Sequence, residues 1–194
     1  MGLSQSVLPA AFYERSPEDV ARDLLGKRLI RVLDGERLGG VVVETEAYQG
    51  LADPASRAFL GRKNYNSPMW NPPGRLFIYN VHKYWMLNVV AHQADGVGGV
   101  LFRAIEPAWG LKTMRRLRPV EDDRELANGP GKLTLALGVT KELNGYPATD
   151  PDSPVHVLDA PCVADYCTSH RIGVTRDLPE ELRFYIAGNR FVSR

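Results

Sequence analysis

Two carboxylates and a tyrosine alternate in one segment of the chain. Glu44, Glu46 and Tyr48 are each separated by one residue and follow three valines, a β-branched run that predicts a strand. Because strand side chains alternate between two faces, all three would share one face. A carboxylate there can take a proton from water or stabilise positive charge, and the tyrosine can stack on a flat ligand. The spacing also fits a wet edge strand, or two Mg²⁺ ligands in a metal-dependent nuclease.

Two polar residues interrupt apolar strands elsewhere in the sequence. Arg103 stands within the apolar run of residues 99–105, and Asn88 stands within another. A buried arginine needs an anionic partner or several hydrogen-bond acceptors, because an unpaired buried charge is costly. Glu46 is a candidate for that partner. A purely structural Arg–Glu pair, and an asparagine that satisfies a turn, are the alternatives.

The charges balance overall, with a net charge of +1, but they are unevenly distributed. Residues 54–94 contain no Asp or Glu and five basic side chains, interleaved with aromatic residues such as Tyr65 and Tyr79. Basic side chains among aromatic rings suit a polyanion whose bases can stack, so this segment predicts a side that faces nucleic acid. The alternative is a mixed, solvated surface with the aromatic rings in the core.

Composition excludes several classes of protein. No apolar run approaches the roughly 18 residues of a membrane span, and the first residues lack the pattern of a secretion signal. Two cysteines cannot build a disulfide framework, so we expect an intracellular, cytoplasmic protein. The spacing of His156, Cys162, Cys167 and His170 leaves a zinc site open as an alternative.

Helix and hairpin signals surround the acidic strand. A Ser-Pro pair at residues 16–17 predicts a helix start, and Gly26 predicts its end. The Asp-Gly pair at residues 34–35 predicts a hairpin into a long strand over residues 38–48. Two glycines within that strand, at residues 39–40, predict a bulge or a close backbone approach.

The other predicted elements are mostly strands. They are strands over residues 27–33, 74–79, 84–91, 99–105, 183–187 and 190–193, and helices over residues 109–117 and 129–137. The last two strands would form a hairpin about Gly188 and Asn189. Because strands outnumber helices and most are joined by hairpins, the sequence predicts one α+β domain over residues 1–194, with a curved, largely antiparallel β-sheet and flanking helices.

Several blocks of the sequence, in one order, resemble the alkyladenine (3-methyladenine) DNA glycosylases of the methylpurine type. The blocks are VVVETEAYQG (41–50), PPGRLFIY (72–79), VLFRAIEP (100–107), GLKTMRRLR (110–118), LANGPGKLTLALGV (126–139), RIGV (171–174) and LRFYIAG (182–188). The resemblance implies a monofunctional base-excision repair enzyme without metal or cofactor. Such an enzyme extrudes an alkylated purine from double-stranded DNA and hydrolyses its N-glycosidic bond.

The resemblance also implies roles for individual residues. Glu46 corresponds to the general base, Arg103 to the arginine that helps to hold the nucleophilic water, and Ile172 to the residue whose carbonyl faces that water. The residues expected to line the base pocket are Tyr48, Tyr79, Asn88, Leu101 and Arg57; the tyrosines stack on the base, and Asn88 guards against the 2-amino group of guanine. The residues expected at the DNA are His82, Met69, Lys132 and Tyr65.

The sequence departs from the family pattern at the pocket and at a strand tip. Arg57 replaces a histidine, so the recognition of neutral lesions such as hypoxanthine or ethenoadenine is not carried over from the family. His82 replaces a tyrosine that fills the gap left by the extruded nucleotide, and Tyr84 is the alternative for that role. A module that binds damage without catalysis therefore stays as an alternative. We expect a monomer with no obligate protein partner, associated with the bacterial nucleoid.

Overall fold

The structure, a computed structural model, describes residues 6–193 and contains one β-sheet in which every pairing is antiparallel. The strands are β1 (Arg28–Leu33), β2 (Glu36–Tyr48), β3 (Leu76–Val81), β4 (Tyr84–Val90), β5 (Gly99–Trp109), β6 (Val155–Leu158), β7 (Tyr166–Ser169) and β8 (Arg183–Ile186). The helices are α1 (Ala10–Tyr13), α2 (Pro17–Asp23), α3 (Leu111–Leu117) and α4 (Pro130–Ala136). The predicted α+β class is confirmed.

Strand β2 is the centre of the sheet. The strand order is β3-β4-β5-β2-β1-β6, and β8 joins the far half of β2 with β7 at its outer edge. The hairpin between β1 and β2 turns at Asp34 and Gly35, both with positive φ, as predicted. Gly39 and Gly40 lie at a register shift, and a Cβ on either would come within 2.0 Å of a carbonyl oxygen. The two glycines therefore permit close strand approach and curling.

The helices cover one face of the sheet. The Oγ of Ser16 accepts a hydrogen bond from the N–H of Asp19, so the predicted cap begins α2. The main core lies between this helical layer and residues such as Val42, Phe102 and Ile105 of the sheet. The opposite face of the sheet is left for other side chains.

The predicted last hairpin is wrong in its second strand. Strand β8 pairs with β7 and β2, whereas residues 190–193 form no strand. The reason is a tertiary contact: Phe191 is buried against Val43 and Ala104, which draws the segment across the sheet instead of along β8. Strands β6 and β7, each of four residues, were not predicted.

Strand β5 is longer than predicted, because Pro107 pairs opposite Gly40, where the missing Cβ permits close approach. Within residues 6–193, no helix has the length and apolar character that crossing a membrane requires.

Candidate active site

A row of side chains crosses four neighbouring strands on the face away from the helices. Phe77 of β3 lies opposite Asn88 of β4, Asn88 opposite Leu101 of β5, and Leu101 opposite Glu46 of β2. Residues opposite one another in an antiparallel pair point to the same face. The sheet register therefore brings together three predicted site residues that lie far apart in the sequence.

A pair of opposed bulges interrupts the pairing of β2 with β5 at Arg103. The register shifts at Glu44, which lies opposite Ala104 while Thr45 lies opposite Phe102, so Arg103 has no direct partner on β2. A bulge bends a strand and redirects the side chain of the extra residue. Alternation along β5 points Arg103 away from the main core, into which its neighbour Phe102 points, and the bulge keeps Ala104 on the same face as Arg103.

Arg103 joins the two carboxylates of β2. Its Nε donates to Oε1 of Glu44 at 2.7 Å, and its Nη1 lies 3.0 Å from Oε1 of Glu46. Oε1 of Glu46 also accepts the N–H of Ile172 at 2.8 Å, and Oε2 accepts the hydroxyl of Tyr48 at 2.9 Å. Glu46, Arg103, Tyr48 and Ile172 therefore form one cluster, and Glu46 is the partner predicted for Arg103.

The two carboxylates have pKa values shifted in opposite directions. Burial raises the pKa of Glu46 above its usual range, and the attraction of Arg103 opposes this shift without cancelling it. Burial acts in the same direction on Glu44, but Arg103, Arg183 and the N–H of Ser193 together hold the pKa of Glu44 below its usual range. Glu46 is therefore the better proton acceptor, and Glu44 stays ionised as a counter-ion.

An open cleft of about 550 Å³ lies over this cluster, and we call it the tyrosine cleft. The predicted site residues that line it are Tyr48, Tyr79, Leu101, Arg103, Ile172, Arg57 and Tyr65. Glu46 itself is fully buried behind these side chains. Burial raises the pKa of both Tyr48 and Tyr79, which keeps their hydroxyls neutral.

A much smaller cavity of about 10 Å³ lies beneath the two tyrosines. Asn88 lines it and donates to the carbonyls of Phe77 and Met86, each at 3.1 Å. Met69 lines it too and is buried in an apolar cluster, so it packs below the tyrosines rather than at the protein surface. Arg57 borders both this cavity and the tyrosine cleft, with its guanidinium 4.6 Å from the ring centre of Tyr79.

A second cleft of about 540 Å³ adjoins the tyrosine cleft at Met86, Arg103 and Pro130, which line both. Val81 lines the first cleft and Tyr84 the second, and the exposed His82 between them has a φ of +51°. Lys132 lines the second cleft, where its ammonium is paired with Glu125. These positions leave the proposed DNA contacts of His82 and Lys132 as predictions.

Arg171 and Asp53 complete the site, although the sequence reasoning did not single them out. Their side chains form a fully buried two-pronged ion pair, with distances of 2.6 and 2.8 Å. Arg171 also donates to the carbonyl of Ala47 and lies 4.7 Å from the ring centre of Tyr48. The pair anchors the loop that brings Ile172 to Glu46, and the RIGV block was the available signal for it.

The sequence left two metal alternatives, a Mg²⁺ site of a nuclease and a zinc site, and they concern different residues. Both oxygens of Glu44 accept hydrogen bonds from Arg103, Arg183 or Ser193, so Glu44 offers no free ligand for a nuclease metal. Among residues 6–193, no group of three His, Cys, Asp or Glu side chains is placed to share a metal ion. The two cysteines of the zinc alternative are exposed thiols.

A buried carboxylate below a cleft with two tyrosines combines a proton acceptor with two rings on which a flat ligand can stack. The chain matches the sequence profile of the family described as Methylpurine-DNA glycosylase (MPG) over residues 11–190. The chain belongs to this family, and it is therefore a DNA glycosylase whose substrate is DNA. The resemblance of the sequence blocks is confirmed.

Curated relatives agree over the full length of the chain. A protein of Aeropyrum pernix is 40% identical over 97% of this chain and 93% of its own. A protein of Bacillus subtilis is 38% identical over the whole of both chains, and one of Rhodopseudomonas palustris is 41% identical over 96% of this chain and 90% of its own. All three carry the provisional name 3-methyladenine DNA glycosylase.

Proposed function

We propose that this protein extrudes alkylated purines of the 3-methyladenine and 7-methylguanine type from double-stranded DNA and hydrolyses their N-glycosidic bond. The observation that carries the proposal is the buried Glu46, whose pKa is raised and whose carboxylate lies 3.0 Å from Arg103 behind the tyrosine cleft. The products are the free base and an abasic site.

Binding begins with extrusion, because the reacting carbon is not accessible within the duplex. The tyrosine cleft supplies two rings for the extruded base, Tyr48 and Tyr79, and such stacking contributes about 1–3 kcal/mol per base. Leu101 lines the cleft. Asn88 lines the cavity below and disfavours the 2-amino group of normal guanine. His82, at the exposed tip, fills the gap left in the stack.

Hydrolysis then uses water activated by Glu46. The water oxygen attacks C1′ of the deoxyribose, its proton passes to Glu46, and the C1′–N bond breaks with its electron pair going to the purine. Ionised carboxylates stabilise the positive charge that builds on the sugar. Arg103 and Ile172 hold Glu46 in place, through the guanidinium and the backbone N–H respectively.

No covalent nucleophile is needed in this scheme. The attacking group is water, so the sugar is never bonded to a lysine or an amino terminus, and the strand is not cut. The enzyme is therefore monofunctional, and neither a metal ion nor a cofactor takes part in any step.

Replacing Glu46 with Gln tests the proposal. Gln is nearly isosteric but cannot accept the proton, so we expect base release from alkylated duplex DNA to fall about 10²- to 10⁴-fold while binding persists. In the wild type, the rate should fall as pH drops through the pKa of Glu46. Because burial raises that pKa, the fall should begin at a higher pH than for an ordinary glutamate.

Glu36→Gln is the matched control, since Glu36 lies at the other end of β2 and accepts a hydrogen bond from Thr113. Released base and alkali-sensitive abasic sites are measured separately. Base release by Glu46→Gln at the wild-type rate would refute the mechanism. A wild-type protein that binds damaged DNA and releases no base would identify the binding module instead.

A further inference from the structure

The segment of residues 189–193 crosses the back of the site. Asn189 donates to the carboxylate of Glu106 at 3.0 Å, and Phe191 is buried against Val43 and Ala104. These contacts place Ser193, which is 7% exposed, on the face of β2 that carries Glu44 and Glu46. Neither the proposed reaction nor the family blocks use this residue.

Every polar group of Ser193 contacts the charged cluster. Its N–H donates to Oε2 of Glu44 at 2.6 Å, and its hydroxyl donates to Oε1 at 2.8 Å. The same hydroxyl accepts from Nη2 of Arg103 at 3.1 Å, and the carbonyl accepts from Nη2 of Arg183 at 3.2 Å. Ser193 thus bridges Glu44 and Arg103.

These contacts determine the orientation of Arg103. A guanidinium is planar and rigid, so fixing two of its nitrogens fixes the third. Nε of Arg103 is held by Glu44 and Nη2 by Ser193, which leaves Nη1 pointing at Glu46. Without the hydroxyl, Arg103 keeps its contacts with Glu44 and Glu46 but loses the one on Nη2, so the guanidinium is held less firmly.

We propose that Ser193 is a positioning residue for the glycosylase reaction, holding Arg103 so that its Nη1 stays on Glu46. The inference rests on the proposed role of Glu46 for its effect on rate. Its effect on the electrostatics of the site is independent of that role.

The groups that act on the charge of Glu46 are few and come from four elements. They are Arg103 on β5, Glu44 and the Tyr48 hydroxyl on β2, Tyr79 on β3, and the N–H of Ile172 in its loop. Ser193→Ala leaves all of them present and loosens Arg103. Since Arg103 lowers the pKa of Glu46, loosening it should raise that pKa further.

The first experiment measures the pKa of Glu46 without substrate, by NMR of its isotope-labelled carboxyl carbon. We expect a higher pKa in Ser193→Ala than in the wild type. Ser193→Thr keeps the hydroxyl, and residue 193 borders the second cleft, which has room for the added methyl group. The pKa of Glu46 in Ser193→Thr should therefore match that in the wild type. Ser153→Ala is the matched control, because Ser153 is a buried serine whose hydroxyl donates to a backbone carbonyl outside the site.

The second experiment measures single-turnover base release. We expect Ser193→Ala to reduce the maximal single-turnover rate constant roughly three- to tenfold with little change in the enzyme concentration that gives half of that rate, Ser193→Thr to restore the rate constant, and Ser153→Ala to leave it unchanged. An unshifted Glu46 pKa in Ser193→Ala, or an equal shift in Ser153→Ala, would overturn the proposal. If Ser193→Ala raises the pKa of Glu46 above that of the wild type, but the wild type releases no base, the positioning role is supported and the proposed function is refuted.

Discussion

Glu44 and Glu46 lie two residues apart on one face of β2, and their surroundings give them different roles. Glu44 accepts hydrogen bonds from two guanidiniums and from Ser193, which favours its ionised form. Glu46 has one guanidinium, one backbone N–H and one hydroxyl, and it is fully buried. Glu44 keeps its negative charge at low pH, whereas Glu46 takes up a proton readily. This division is what a hydrolase needs from a pair of carboxylates.

Arg57 places a positive charge inside the tyrosine cleft. The other charged side chain among the described residues that line the cleft is Arg103, which Glu44 and Glu46 neutralise. Arg57 instead contacts the ring of Tyr79. A base that carries a positive charge, such as 7-methylguanine in DNA, is repelled by this guanidinium, whereas neutral hypoxanthine offers acceptors to it.

We therefore expect Arg57→Gln to raise the rate on 7-methylguanine relative to hypoxanthine by about three- to tenfold, a modest factor because Arg57 is partly exposed to solvent. Rates of release from duplexes with one lesion each give this ratio. Arg62→Gln is the control, since Arg62 lies over Trp70 and outside the cleft lining. An unchanged ratio in Arg57→Gln would refute a charge-based selection.

At the scale of elements, β2 and β5 together build the catalytic cluster. Two opposed bulges put Val43 and Glu44 on one face of β2, and Arg103 and Ala104 on the same face of β5. Alternation without the bulges would turn Val43 and Ala104 towards the main core instead. The glycines at the start of β2 let the strand pass close to β1 and β5, so the curl of the sheet depends on them.

Gly39→Ala should therefore destabilise the whole fold. Its Cβ would lie 2.0 Å from the carbonyl oxygen of Leu29, and neither backbone can yield cheaply. We expect a loss of about 3 kcal/mol in the free energy of unfolding, measured by denaturant titration. Gly35→Ala is the comparison: its φ is also positive, but its Cβ would meet open space, so about 1 kcal/mol should be lost. Equal losses would argue against close strand approach at Gly39.

At the scale of the whole molecule, net charge and local charge lead to different expectations. A protein of net charge +1 has little general attraction for DNA, so binding must depend on local basic side chains. The β3–β4 tip lies between the two clefts and carries Lys83, an exposed residue of the acid-free segment. The tip is therefore well placed to meet a phosphate.

We expect Lys83→Gln to reduce the slope of log Kd against log salt concentration by about one, as for the loss of one phosphate contact. Fluorescence anisotropy with undamaged duplex DNA measures this slope. Lys112→Gln is the control, because Lys112 lies on α3 in the helical layer and lines neither cleft. A slope that responds equally to both changes would show general rather than local attraction.

The sequence by itself determined the parts of the site that depend on neighbouring residues. Alternation along β2 placed Glu44, Glu46 and Tyr48 on one face, and the cost of burying Arg103 indicated an anionic partner or several hydrogen-bond acceptors, with Glu46 as the candidate. Local turn signals predicted the β1–β2 hairpin and the start of α2 correctly. Such features follow from strand geometry and capping, which act over a few residues.

Tertiary structure alone decided which carboxylate gains a raised pKa, how Arg171 meets Asp53, and why residues 190–193 cross the sheet instead of forming a strand. Each of these depends on partners more than a hundred residues away: Arg183 for the lowered pKa of Glu44, Asp53 for Arg171 and Glu44 for Ser193. No local pattern marks such pairs. Burial and long-range hydrogen bonds exist only once the chain has folded, and they set the charges on which the chemistry depends.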